Sequence, residues 1–162
     1  MSASGARRSG RGGFTLLEVV IILVVIGVVT AFGTLAFSGY FQRVAAQRAA
    51  QVFARDLTVA RGWATRARRP VVIRFYESSL RYEVVEQSTG TQVAVRRFGT
   101  NADIKLSTVS FSFAGDSVVF SARGTADLTG AGGPLGTATF SSGAVNYTVS
   151  FNSMGASKID RT

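Results

Sequence analysis

The sequence predicts an α+β fold in which a long N-terminal helix packs on an antiparallel β-sheet. Residues 14–37 form an apolar run with a single charge, Glu18. Apolar residues then recur every three or four positions as far as residue 67, which is the spacing of one helix face. From Pro70 onward, apolar and polar residues alternate, which is typical of β-strands. These three observations divide the chain into a helical part followed by a sheet.

A short basic leader precedes the apolar run. Residues 1–13 consist mainly of Gly, Ser and Arg and have almost nothing to bury, so we expect them not to fold. As a helix, residues 14–37 would be roughly 36 Å long, enough to cross a hydrocarbon core of about 30 Å. Because Arg7, Arg8 and Arg11 precede the run, we expect the leader in the cytoplasm and the rest of the chain outside it. The predicted segments are a leader 1–13, a transmembrane helix 14–40 and an extracytoplasmic domain 41–162.

Two of three competing interpretations of the apolar run are a secretory signal peptide and a simple single-pass membrane anchor. A secretory signal peptide has a shorter apolar core, of about 7 to 15 residues, and ends at a small-x-small cleavage site. A simple single-pass anchor fits the length but does not explain Glu18, because a carboxylate in a membrane helix costs on the order of 2 to 3 kcal/mol toward the centre. An acid within a membrane helix usually pairs with a group on another residue or another chain.

The start of the run carries a specific resemblance. Gly13-Phe14-Thr15-Leu16-Leu17-Glu18, after a basic leader, resembles the signal of type IV prepilins and type II secretion pseudopilins. The resemblance implies that a prepilin peptidase cleaves after Gly13 and methylates the new N-terminal Phe14, and that Glu18 is the signature acid at the fifth mature position. The Phe14 ammonium of a neighbouring subunit would offset the Glu18 carboxylate, so that the charge penalty is relieved only on assembly. This ion pair would then set the axial register between subunits.

The helix is predicted to continue beyond the membrane, from about Phe14 to Arg68, because no proline interrupts it before Pro70. Small residues dominate its apolar stripe and suit close packing on a sheet, and Trp63 is predicted to be a core residue under that sheet. The stripe consists of Ala46, Ala49, Ala50, Phe53, Leu57, Ala60, Ala64 and Ala67.

The strands are predicted from period-two segments rich in Val, Phe and Tyr. Ser78-Ser79 and residues 88–91 are predicted hairpin turns. Residues 124–136 are predicted to be a surface loop, since no Lys-Ser/Thr follows their glycines and no strand-to-helix context supports a phosphate cradle. The predicted strands are 71–76, 80–86, 93–98, 104–106, 109–113, 118–120, 138–140 and 145–151.

The domain further resembles one subgroup of this family, the H-type minor pseudopilins and FimT-like minor pilins. The similar segments are the helix end from Ala60-Arg61 to Ile73, the strand 118–120 leading to Gly124, and the closing strand 145–151 before Gly155. The resemblance implies the pilin fold and a minor subunit of a type IV pilus, a type II secretion pseudopilus or a competence filament. It also implies a single-pass location in the bacterial inner membrane, with the C-terminal domain in the periplasm or outside. The implied partners are other pilin or pseudopilin subunits, the prepilin peptidase and the inner-membrane assembly platform.

The net charge of +9 leaves a second function open. Excess basic charge fits an anionic partner such as DNA, but it also fits a solvated face that keeps a tethered domain soluble. Some FimT-like relatives bind DNA for uptake through a C-terminal Gly-Arg-x-Arg segment. Here the matching stretch begins at Gly155 and lacks the first arginine. The candidate DNA-binding residues are Lys158, Arg161, Arg96, Arg97 and Arg123.

An enzymatic role is not expected. The chain has no His and no Cys, which excludes a Ser-His-Asp triad, a thiolate nucleophile and the usual zinc, haem and iron–sulfur sites. Its nine acids form no recognisable acid–base pair, and no nucleophile is placed beside a base. We therefore expect no cofactor, no metal and no catalytic residue.

Overall fold

The computed structural model describes residues 14–99, 101–112, 116–131 and 133–162. The predicted leader, with Gly13 of the predicted cleavage site, lies outside these residues. So does Phe113, at the end of one predicted strand. The chain divides into two units, Met1–Ser38 and Gly39–Thr162, and the second is called the C-terminal unit below.

One helix, α1, extends from Leu16 to Ala67, close to the predicted range. It ends in a Schellman arrangement, in which the N–H of Arg69 donates to the C=O of Ala64 at 3.2 Å. Arg68 takes the left-handed conformation that this ending requires, with φ of 53°. Pro70 follows directly and has no N–H to continue the helix.

Nine strands follow α1 in the described residues, and two of their ranges, β1 and β8, coincide with the predicted ones. A 3-10 turn at Glu77–Ser79 joins β1 to β2, in the place of the predicted Ser78-Ser79 turn. The strands are β1 Val71–Tyr76, β2 Arg81–Glu86, β3 Gln92–Arg97, β4 Thr108–Phe111, β5 Ser117–Phe120, β6 Ala126–Asp127, β7 Gly136–Ser142, β8 Val145–Phe151 and β9 Ser157–Arg161.

The strands form two antiparallel sheets, whereas the sequence predicted one. The first has the order β3-β2-β1-β5-β6 and the second the order β4-β7-β8-β9. In the first sheet, Ile73 of β1 pairs with Val84 on one side and Val118 on the other. Strand patterns give the face that each residue occupies but not its neighbours, so the sequence could not separate the two sheets.

Three further details correct the prediction. Residues 104–106 form no strand, because the backbone there turns back and the Gly99 N–H donates to the Ile104 C=O at 3.2 Å. Their apolar side chains cover the core without joining a ladder, and Leu106 is buried. The predicted loop 124–136 contains the two-residue strand β6. Strand β9 was missed because Ile159 is its only apolar residue.

The core of the C-terminal unit lies where α1 meets both sheets. The ring of Phe53 lies 5.3 Å from that of Tyr82 in the first sheet and 5.5 Å and 6.0 Å from those of Phe140 and Phe151 in the second. Trp63 lies only at the margin of this core and is half buried. The predicted stripe is confirmed, since all of its residues are fully buried except the half-buried Ala67: Ala46, Ala49, Ala50, Phe53, Leu57, Ala60 and Ala64.

Candidate functional site

The first turn of α1 presents the acid that the sequence singled out. The hydroxyl of Thr15 accepts a hydrogen bond from the N–H of Glu18 at 3.2 Å, which caps the helix. Glu18 lies in the first turn, where the helix dipole favours a negative charge. Phe14, the other described residue of the predicted processing site, is 75% exposed. The Glu18 carboxylate and the Phe14 side chain, four residues before it, are therefore both accessible to another molecule.

The N-terminal part of α1 carries an exposed apolar surface. Its large apolar side chains from Leu16 to Phe37 are exposed wherever the structure describes them. Among the described residues, α1 is the one helix long and apolar enough to cross a membrane, and the mean hydropathy of its most apolar window is 2.8. The Thr30 hydroxyl is satisfied within the helix, where it donates to the Ile26 C=O at 2.7 Å. Such a surface can face lipid or pack against other apolar helices.

The basic residues proposed for DNA binding do not all lie on one element. Arg96 and Arg97 lie on β3, an edge strand of the first sheet, and Lys158 and Arg161 lie on β9, an edge strand of the second. Arg123 is exposed in the turn between β5 and β6. Lys158 makes an ion pair with Asp160 on its own strand, with 2.8 Å between Nζ and Oδ1.

Arg96 is held by a buried carboxylate that sequence reasoning missed. Its Nε donates to Oδ2 of Asp56 at 2.8 Å, and one terminal nitrogen donates to Oδ1 at 3.1 Å. The Tyr82 hydroxyl donates to the same Oδ2 at 2.9 Å. The hydrogen bonds to Asp56 raise the pKa of Arg96, and burial together with the Asp56 charge raises the pKa of Tyr82. Arg96 therefore neutralises an acid that is only 2% exposed.

One signal in the sequence pointed to Asp56. It is the only acid among eight arginines between Arg43 and Arg74, and it directly precedes Leu57 of the buried stripe. Its partner Arg96 lies 40 positions away in the sequence, on β3, and only the fold brings the two side chains together.

Arginines also line a cleft of about 780 Å³ between α1, β3 and the segment that follows β3. Apolar side chains, among them Val52, Phe98 and Ile104, form part of its lining, and Asp103 is the one acid that lines it in the described residues. We call this feature the arginine cleft after its five arginines, Arg48, Arg55, Arg81, Arg96 and Arg97.

Solved structures with a similar fold come from two filament systems. The type IV minor pilin FimU of Pseudomonas aeruginosa matches with a TM-score of 0.55 and 18% sequence identity, over 75% of this chain and 92% of that one. The minor pseudopilin EpsH from the type II secretion system of Vibrio cholerae matches with a TM-score of 0.52 and 10% identity, over 72% of this chain and 94% of that one. At these identities the likeness concerns the fold, and it confirms the predicted pilin-like α+β architecture.

Two family models match the sequence itself. The prokaryotic N-terminal methylation motif matches residues 8–34. The model described as type II transport protein GspH matches residues 49–155, roughly two thirds of the chain. No curated protein sequence matches the chain. The resemblance to H-type pseudopilins is thereby confirmed, and the chain belongs to the family of the type II transport protein GspH.

Proposed function

We propose that this chain is a minor pilin or pseudopilin that assembles into a filament at the bacterial inner membrane, with its C-terminal unit on the extracytoplasmic side. The observation that carries the proposal is the set of exposed large apolar side chains on α1, from Leu16 to Phe32 and at Phe37, in a chain whose C-terminal unit has a core of its own. A surface of this size in water would need cover, either from lipid or from other helices. The role is structural and needs no catalytic residue.

Assembly exchanges one apolar environment for another. Before assembly, the N-terminal part of α1 is held in the bilayer because its apolar side chains avoid water. In the filament the same side chains contact the helices of other pilin or pseudopilin subunits, and packing replaces the lipid contacts. Because the sequence contains no nucleotide-binding motif, the energy for extraction comes from a separate motor that acts through an assembly platform.

Glu18 gives this assembly its register. After a prepilin peptidase has cleaved between Gly13 and Phe14, the amino group of Phe14 is free and methylated. The exposed Glu18 carboxylate of one subunit then meets the Phe14 ammonium of the next, in surroundings where an unpaired charge is costly. Only one axial offset between helices satisfies both charges, so the pair selects it.

Mass spectrometry of the chain from its native membrane tests the processing step. We expect a mature protein that begins at Phe14 and carries one N-terminal methyl group. A protein that retains Met1, or one that has lost the apolar run through conventional signal cleavage, would refute the proposal.

Variants at Glu18 test the register. Glu18→Gln and Glu18→Val are expected to insert into the membrane as well as the parent chain, since both remove a charge from the apolar segment. Both are expected to lose most of their incorporation into sheared filaments, whereas Glu18→Asp, which keeps the charge, retains most of it. Normal incorporation of Glu18→Gln would show that the carboxylate does not set the register.

A role in DNA uptake stays a prediction. Two of its five candidate residues make ion pairs with carboxylates of the same chain, which lowers their capacity to contact phosphates. A mobility shift of DNA with the full chain in nonionic detergent would decide it, because phosphate contacts weaken steeply as salt is raised. No shift at low salt would leave the structural role alone. The five residues are Lys158, Arg161, Arg96, Arg97 and Arg123.

A further inference from the structure

We infer that the arginine cleft binds an acidic polypeptide segment, whose Asp or Glu carboxylates are held by the free guanidinium groups and whose apolar side chains pack on the cleft lining. This inference goes beyond the proposed function. It concerns a surface of the C-terminal unit and does not depend on how the apolar part of α1 is used.

The arginines converge on the cleft from two directions. Arg48 and Arg55 are seven residues apart on α1, about two helical turns, so they lie on the same side of the helix. Arg97 approaches from β3. All three side chains are exposed, and within the described residues none of them makes an ion pair with a carboxylate. Three guanidinium groups are therefore available to a ligand.

The other two arginines are held in place by the protein. Asp56 fixes the guanidinium of Arg96 through two hydrogen bonds, while 42% of the Arg96 side chain stays exposed. The guanidinium of Arg81 lies 4.2 Å from the centroid of the Tyr76 ring, a cation–π contact. The buried Nε of Arg81 has no hydrogen-bond partner in the described residues. Two of the cationic groups are thus preorganised, which reduces the entropic cost of binding an anion.

The charge of the cleft is not balanced from within. Asp56 offsets Arg96, and Asp103 is the only acid on the lining in the described residues. Five guanidinium groups against these two acids leave a net positive charge around the cleft, and the resulting positive potential favours an anionic ligand. Guanidinium groups suit carboxylates in particular, because their planar fork can donate two parallel hydrogen bonds to the two oxygens.

The remaining lining favours a polypeptide over a nucleic acid. Val52, Val95, Phe98 and Ile104 line the same cleft as the arginines, so the cleft offers apolar as well as cationic groups. An acidic peptide offers both carboxylates and apolar side chains, whereas a nucleic-acid backbone offers phosphates and sugars. The volume, about 780 Å³, falls in the range of small-ligand pockets and suits a few side chains.

The test uses the full chain in nonionic detergent and a fluorescent hexapeptide that alternates Glu and Val. We expect saturable binding by fluorescence anisotropy at low salt, and no binding of the Lys-Val hexapeptide. The double variant Arg48→Gln, Arg55→Gln should bind at least about tenfold more weakly. The matched double variant Arg43→Gln, Arg66→Gln removes the same charge at exposed positions of α1 outside the cleft, and its affinity should change less than about twofold.

Three outcomes would overturn the inference. They are no binding of the Glu-Val peptide at low salt, an equal loss of affinity in both double variants, and tighter binding of an oligothymidylate that displaces the peptide. As a second test, Arg97→Gln should weaken binding of the Glu-Val peptide by about threefold to tenfold. An unchanged affinity would show that the cleft is not the binding site. Because filament incorporation is not measured, failure here leaves the proposed function untouched.

Discussion

Replacing Arg96 by methionine isolates the contribution of the Asp56–Arg96 pair to the stability of the C-terminal unit. Methionine keeps an unbranched apolar stem and removes the charge and all the donors. Within the part of the chain that the structure describes, Asp56 accepts three hydrogen bonds, two from Arg96 and one from the Tyr82 hydroxyl. The variant therefore leaves a carboxylate that is 2% exposed with a single donor.

The expected cost follows from the burial of the two partners. Removing one partner of a fully buried ion pair costs about 3–5 kcal/mol, because an uncompensated charge stays in the interior. Here 42% of the Arg96 side chain is exposed, so water can reach the vacated position and solvate part of the carboxylate. We therefore expect a loss of about 2 kcal/mol in the free energy of unfolding. The thermal midpoint should fall by about 8 °C.

The assay is denaturant and thermal unfolding of the full chain in detergent, followed by the fluorescence of Trp63. This residue is the only tryptophan, and it lies within the C-terminal unit. The matched control is Arg97→Met, an exposed neighbour on β3 that should change stability by less than about 0.5 kcal/mol. Asp56→Asn should make the Arg96→Met substitution much less costly, because the charge to be compensated is then gone.

Equal stabilities of Arg96→Met and Arg97→Met would refute this reasoning. So would strict additivity of Asp56→Asn and Arg96→Met. Either result would mean that the Asp56 carboxylate is hydrated in the folded protein and that its bidentate partner is dispensable.

Three further changes test other parts of the fold. Phe53→Ala should lower the free energy of unfolding by about 3–5 kcal/mol, because this ring contacts both sheets; a denaturant midpoint near that of the parent chain would contradict the core assignment. Burial raises the pKa of Tyr82 in the folded protein, so the unfolded chain ionises first as pH rises. The stability that neutral Tyr82 gives the folded protein is therefore complete below the unfolded pKa of about 10 and is lost as pH rises above it. Tyr82→Phe should therefore flatten the alkaline fall in thermal midpoint, and parallel curves would disprove the linkage. Gly124→Ala should destabilise by more than about 1 kcal/mol in urea unfolding, since φ is +79° and the added Cβ would lie 2.6 Å from Thr65 Cγ2. The control Gly133→Ala, whose Cβ meets nothing within 4 Å, should be near neutral.

The helix could be predicted from the sequence because its signals are local. The apolar stripe follows one helical period without interruption, and no proline occurs between Phe14 and Pro70. Strands β1 and β8 were also correct to the residue, since β8 alternates apolar and polar side chains and β1 is a run rich in β-branched and aromatic residues directly after Pro70. Local signals of this kind depend only on neighbours within a few positions.

The features that could not be predicted depend on contacts across the chain. Strand β9 is mostly polar and becomes a strand by pairing with β8, as in the register between Val149 and Ile159. The division into two sheets is likewise a matter of partners, which one sequence does not specify. The arginine cleft combines α1 residues with β3 residues, and only the fold brings these segments together.

The four outer strands of the two sheets bear on how crowded subunits avoid fusing with one another. β3 and β9 present charged side chains, among them Arg97, Lys158 and Arg161, while β4 has four residues and β6 only two. Charge and shortness both discourage an incoming strand from adding to an open sheet. In the proposed filament, neighbouring pilin or pseudopilin subunits would consequently gain little from strand addition to these edges. Lateral contacts between such subunits would then depend on complementary side chains and not on backbone hydrogen bonds, which any exposed strand could form.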